Sequence, residues 1–321
     1  MPVPASYERI HYGLRPAKNV QRKMLVETFR RLSEFGVVSS YRYVGFGSTY
    51  FSDFSLFHKA LGIQNMVSIE KDVSNRKRFE FNRPFNCIKM MFGDSSEILP
   101  SLNWNAKTIL WLDYDGPLVP SMLADVRFFC GSALAGSFIV VTVNAEPYEL
   151  GENSLRMEEL LRVFGRERIP PESKEQELAG WGTSRVFRRI LTAEILATLS
   201  ERNGGLAEDN KMQYGQLFDF CYKDGDRMLT IGGLIFDQSQ KTIYAKCGFE
   251  QLEFLRSSLK SDSKPRLIEV PKLTYREIRH LDRQLPRPRS KRLTSPSVPL
   301  NDIKQYETNY RYFPTFAETE V

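Results

Sequence analysis

Five apolar runs, each ending on a glycine, an acid or an amide, constrain this chain most. They are YRYVGFG (41–47), NMVSIEKD (65–72), CIKMMFGDS (87–95), KTILWLDYDGPL (107–118) and GSFIVVTVNAEP (136–147). A strand with one wet face alternates apolar and polar residues, whereas a strand buried on both faces is continuously apolar. Helical segments separate these runs. In residues 17–35, Val20, Met24, Leu25, Phe29 and Leu32 recur at three- and four-residue spacing. The segment 52–62 opens on Ser52 or Asp53 as candidate N-cap and stops at Gly62. Strand and helix in alternation predict an α/β, Rossmann-like, mostly parallel sheet with helices on both faces.

The rest of the chain is less regular. Residues 1–36 read as an N-terminal helical segment and 37–250 as the α/β domain. Residues 151–182 are polar, contain Pro170-Pro171, and read as a lid insertion. A long helix follows, started by Thr183 or Ser184 and stopped by Gly204-Gly205. Residues 217–237 read as two strands around a turn at Asp224-Gly225. Residues 251–321 form a basic, Pro-rich extension, small and helical, in which Thr274-x-x-Glu277 is a capping box.

Charge separates that extension from the remainder. The chain is +6 overall, but residues 256–292 carry 12 Lys and Arg against 4 Asp and Glu, so the rest is about −2. Such a stretch is a solvated surface or linker, or else a footprint for nucleic acid or another anionic partner, and no aromatic platform interleaves with its charges. Hydrophobic residues make up 41% and charged residues 26%, a globular balance. There is no signal-peptide h-region and no run of roughly 18–20 apolar residues, so the expectation is a soluble, cytoplasmic protein without membrane contact. Cys87, Cys130, Cys221 and Cys247 are scattered and read as reduced, mostly buried thiols. His11, His58 and His280 lack zinc spacing. Neither a G-x-S-x-G elbow nor a G-x-x-x-x-G-K-[ST] loop is present.

In an open parallel sheet, ligands gather beyond the carboxyl ends of the strands. The candidate residues lie there: Gly45, Phe46, Gly47 and Ser48 after the first run, Glu70 and Lys71 after the second, and Asp94 and Ser95 after the third. Asp113, Tyr114 and Asp115 follow the fourth run, Asn144 and Glu146 the fifth. Glu70 lies 23 residues beyond Gly47, close to the roughly 20 expected between a glycine turn and a ribose-binding acid. The glycines are expected to let backbone approach a ligand closely. The plainer alternative is that these acids cap helices, which suits Asp94 and Ser95 better than Glu70 and Asp113. Tyr50 replaces the third glycine of G-x-G-x-x-G, so the turn suits a pyrophosphate poorly. S-adenosylmethionine carries no phosphate, and Gly45–Gly47, Glu70 and Asp94 supply its needs in chain order.

The stretches YVGFGSTYFSDF, SIEKD, FGDSSE and WLDYDGPL, with LRPAKNVQRKML before them and YRYFPTFAE at the end, resemble a bacterial family of O-methyltransferases. This family falls within the class I S-adenosylmethionine-dependent methyltransferases. The resemblance covers nearly the whole chain and implies a seven-stranded methyltransferase sheet, the cofactor, and methylation of an unidentified acceptor. It departs at the first strand, where Tyr43 and Val44 stand in place of the acid often found before the glycine turn. Lys18 or Arg15 is then a candidate for the methionine carboxylate.

Asp113, Tyr114 and Asp115 are the candidate catalytic residues. Asp115 would be a general base and Tyr114 a wall of the acceptor site. Magnesium-dependent relatives place an Asp after this strand and an Asp-Asn pair after the next. Asp113, Asn144 and Glu146 are a partial match, since Val143 replaces the Asp. The rival classes are a non-catalytic methyltransferase-like binding or regulatory module and a nucleic-acid methyltransferase using the basic segment. Against base methylation, LDYDGP is not an Asp/Asn-Pro-Pro-Tyr loop.

Overall fold

The computed structural model describes residues 14–148, 155–255, 264–288 and 290–315. Its helices are α1 (Pro16–Arg30), α2 (Ser52–Leu61), α3 (Arg76–Asn82), α4 (Ser95–Ser101), α5 (Pro120–Ser132), α6 (Arg156–Phe164), α7 (Gly182–Arg202), α8 (Lys241–Lys246), α9 (Tyr275–Asp282) and α10 (Leu300–Asn309). Its strands are β1 (Arg42–Gly45), β2 (Asn65–Glu70), β3 (Ile88–Phe92), β4 (Thr108–Pro117), β5 (Ser137–Asn144), β6 (Met212–Lys223), β7 (Arg227–Asp237) and β8 (Arg266–Ile268).

All eight strands form one sheet in the order β3-β2-β1-β4-β5-β7-β6-β8. β1 to β5 run parallel, and β7 is antiparallel to both β5 and β6. The implied seven strands are therefore corrected to eight. The added strand comes from the C-terminal extension and pairs in parallel with Phe220–Tyr222 of β6, covering backbone groups that a sheet edge would leave open. Helices α9 and α10 of that extension close a small core of their own around Leu281, Ile303 and Tyr306.

The central strands supply both faces, as their continuous apolar character requires. Phe138 and Val140 of β5 join a core with Met24 and Phe29 of α1 and Phe54 and Phe57 of α2. Ile139, Val141 and Val143 point the other way, to Val126 and Phe129 of α5 and Ile190 and Leu191 of α7. The described part of the expected lid, residues 155–182, sends Leu160, Phe164, Ile169 and Leu178 into this second core; residues 151–154 lie outside the described residues.

Two helix starts differ from expectation. The N-cap of α2 is Phe51, in a left-handed conformation without a side-chain cap, while Asp53 turns inward. The N-cap of α7 is Trp181; Thr183 and Ser184 donate instead to the carbonyls of Leu178 and Trp181. The capping box of α9 forms as expected.

Candidate active site

The strand order reverses at β1, with β2 on one side and β4 on the other, which opens a crevice at the carboxyl ends. A cavity of about 390 Å³ lies there. Phe46, Gly47 and Ser48 from the glycine turn, Glu70 and Lys71 from β2, Asp94 and Ser95 beyond β3, and Asp113, Tyr114 and Asp115 from β4 all line it. Gly45, Asn144 and Glu146 are outside its wall.

The glycine turn is built by its own packing. A Cβ at Gly45 would lie 2.6 Å from the Tyr43 hydroxyl, and one at Gly47 would lie 2.5 Å from Ser68 Oγ and 2.7 Å from the Phe51 ring. Close approach at both positions is demanded by neighbouring side chains of the protein. Ser48 (φ 50°) and Phe51 (φ 45°) hold left-handed backbone without being glycine. Strain of this kind persists where surrounding contacts over-determine it; Phe51 is fully buried against Phe54.

Glu70 accepts a hydrogen bond from the Asp72 amide at 3.1 Å, and burial pushes its carboxyl up to about 7. Beyond it, Asp94 caps α4 by accepting from the Ser96 amide and pairs with Lys71 at 2.9 Å. Its capping role matches the plainer sequence alternative. Ser95 and Tyr114 both donate to Asp125 Oδ2, at 2.5 and 2.6 Å. The Tyr114 ring also meets Phe46 edge-on at 5.3 Å. Tyr114 is thus fastened to the Asp94 side of the cavity.

At the other end α1 enters the site. Asp224, at the β6–β7 turn, accepts from the Ala17 and Lys18 amides at 3.2 and 2.9 Å, an acid at a helix N-terminus. Arg22 of α1 lines the cavity beside Ser52 and Asp53. Asp53 accepts from the buried Tyr43 hydroxyl, and burial raises its pKa while Arg22 opposes the rise. Lys18 is absent from the cavity wall, because its ammonium donates to Asp113 and to the Tyr222 hydroxyl.

A family described as "Putative O-methyltransferase" matches residues 10–321. The chain belongs to this family. No curated protein matches it. Among solved structures it is similar to Trm1 from Pyrococcus horikoshii in complex with S-adenosyl-L-methionine, at 14% identity and TM-score 0.48, covering 74% of this chain and 60% of that one. It therefore spans about three-fifths of that enzyme's chain. A "putative O-methyltransferase" from Klebsiella pneumoniae is 13% identical, with TM-score 0.38 over 73% of this chain and 84% of that one.

Membership in the family leaves two expectations to correct against the geometry. The metal set Asp113, Asn144 and Glu146 is not assembled: Asp113 is paired with Lys18, Glu146 with Arg227 at 2.6 Å and Lys223 at 3.6 Å, and Asn144 donates to Asp226. Among the described residues no group of three His, Cys, Asp or Glu is placed to hold a metal. The basic extension does contain an exposed aromatic, since Arg279 lies 4.3 Å over the Tyr275 ring. Sequence reading also passed over Arg22, Asp53 and Asp125. Arg22 had a signal: Arg15, Lys18 and Arg22 recur at three- and four-residue spacing on a helix that is otherwise apolar on that side. Among the described residues no helix is long and apolar enough to cross a membrane.

Proposed function

We propose that this chain is an S-adenosylmethionine-dependent methyltransferase acting on an acceptor hydroxyl, with the donor held in the cavity at the ends of β1, β2 and β4. The carrying observation is that one cavity gathers, in chain order, a glycine turn, Glu70 and Asp94. The donor set fits the group. Glu70 is an acceptor for a ribose diol, and Arg22 and Asp53 are an opposite-charge pair for an amino-acid carboxylate and ammonium. Ser95, Asp125 and Met122 flank the far end, where a purine needs polar edges and apolar faces. A pyrophosphate is poorly served, since the cations on the wall are Arg22, beside Asp53, and Lys71, paired with Asp94.

When bound, the donor supplies an electrophilic methyl on a sulfonium. The residues of the chain orient it and exclude water. Asp115 stands exposed at the rim, where it accepts the acceptor's proton, and Asp113, held by Lys18 through Oδ1, lines the same cavity. Titration of the purified chain with S-adenosylmethionine, then labelled methyl transfer to separated small-molecule, RNA, DNA and protein fractions, tests the reading. Donor binding with label in a small hydroxyl compound supports it; stabilisation by NAD and not by the sulfonium compound overturns it.

A nucleic-acid acceptor is the second reading, favoured by the exposed pair Tyr275 and Arg279 in the basic segment. Against it, Arg287 is paired with Glu307, and Arg266 donates to Thr308 and Asn309.

A further inference from the structure

Lys18 is wholly buried, yet apolar packing does not call for a charge there. Its ammonium donates to Asp113 Oδ1 and to Tyr222 Oη at 3.0 Å, and lies 4.7 Å from the Trp111 ring centre and 5.6 Å from that of Tyr222. A methionine would fill similar space without desolvating an ammonium, which costs several kcal/mol unless it is well paired. Lys18 does not touch the cavity, whereas its partner Asp113 does.

We propose that Lys18 is a positioning residue that sets the charge Asp113 turns toward the donor cavity, and so governs how strongly the site prefers a cationic sulfonium over the uncharged thioether left after transfer. The proposal rests on the donor-site reading above. A carboxylate paired with a buried ammonium is nearly neutral from a distance, while a lone carboxylate projects a full charge. Donor and product share their adenosine and amino-acid parts and differ by a methyl and one positive charge at sulfur. Their affinity ratio therefore isolates the field at that atom.

The surroundings make the ratio readable against pH. Burial pushes Lys18 down to about 8; Asp113 opposes the fall, and Arg22 and Arg15 on α1 add to it. Tyr222 on β6 and Tyr43 on β1 are held well above their usual value, so both stay neutral through this window. Asp53 on α2 is raised by burial from the carboxylate range, and Asp224 accepts from the backbone of α1. Glu70 titrates near 7 but faces the ribose common to both ligands, so its effect largely cancels in the ratio.

Calorimetric Kd values for S-adenosylmethionine and S-adenosylhomocysteine, measured on the full chain from pH 6.5 to 9, test the proposal. In the wild type the preference for the sulfonium should grow about 10-fold as pH rises through about 8. Lys18→Met should show a high, flat preference and Asp113→Asn a low, flat one. Tyr222→Phe, which removes one acceptor from Lys18, should move the wild-type midpoint to lower pH. A wild-type ratio that does not change with pH overturns the proposal even if no variant folds, as does a Lys18→Met protein with the wild-type ratio and slope. Failure of both compounds to bind overturns the donor-site reading itself, an outcome separate from two ligands bound with a constant ratio.

Discussion

Glu70 is a carboxylate held in a place that disfavours its charge. Its folded pKa is raised to about 7, so the folded chain keeps a proton that the unfolded chain releases between the usual carboxylate range and pH 7. Stability contributed by this group therefore falls as pH rises through that window, and the penalty is complete above it. Glu70→Gln should stabilise the ligand-free protein at pH 8 by on the order of 2 kcal/mol, seen as a higher melting temperature, and have little effect near pH 4.5. The same change should weaken donor binding by roughly 1 to 3 kcal/mol through loss of a charged acceptor. Equal melting shifts at both pH values, or unchanged donor affinity, would remove Glu70 from this role. At the rim, Asp115→Asn should leave donor affinity intact and lower the transfer rate by about 10² to 10⁴, measured in single turnovers. A rate within twofold of wild type would leave orientation alone as the device.

Among the elements, α1 does two jobs with two faces. Phe29 lies edge-on to Phe57, Phe138 and Phe218 at 5.5, 5.2 and 6.5 Å and is fully buried. Phe29→Ala should cost about 3 to 5 kcal/mol in denaturant unfolding without changing the affinity of protein that remains folded. The extension from β8 onward is held by the edge of β6 and by its own small core, and Arg287 and Arg266 are drawn into its packing by Glu307, Thr308 and Asn309. Replacing exposed Arg276, Arg279, Lys291 and Arg292 by Gln should leave donor affinity unchanged. If nucleic acid is the acceptor, that variant should also flatten the salt dependence of its binding, and absence of any binding at low salt returns the segment to plain surface.

For the whole molecule, a ligand of the native state shifts the folding equilibrium by mass action. Either S-adenosyl compound at 100 times its Kd should add about 2.7 kcal/mol of stability, and NAD none. Methyl transfer should survive a chelator, because the carboxylates that would hold a metal are engaged by Lys18, Arg227 and Lys223. Loss of activity on chelation, restored by magnesium, would show that these ion pairs open in the working enzyme.

Sequence alone determined the five parallel strands, because continuous apolar runs cannot keep a wet face, although β3, at the sheet edge, is left partly exposed. It also determined which residues stand at their carboxyl ends, since order along the chain becomes order around the crevice. Glu70 and Asp94 were legible for that reason. Tertiary structure decided what those residues touch. Asp53 reads as a helix cap until the Tyr43 hydroxyl draws it inward, and Arg22 joins the cavity wall only once α1 lies against the sheet. The pairing of Lys18 with Asp113 joins residues 95 positions apart. An apolar pattern reports which face of a helix is buried, because burial scales with area. It does not report which charge meets which, because that depends on a few atoms brought together only when the helix, the hairpin and the sheet have packed.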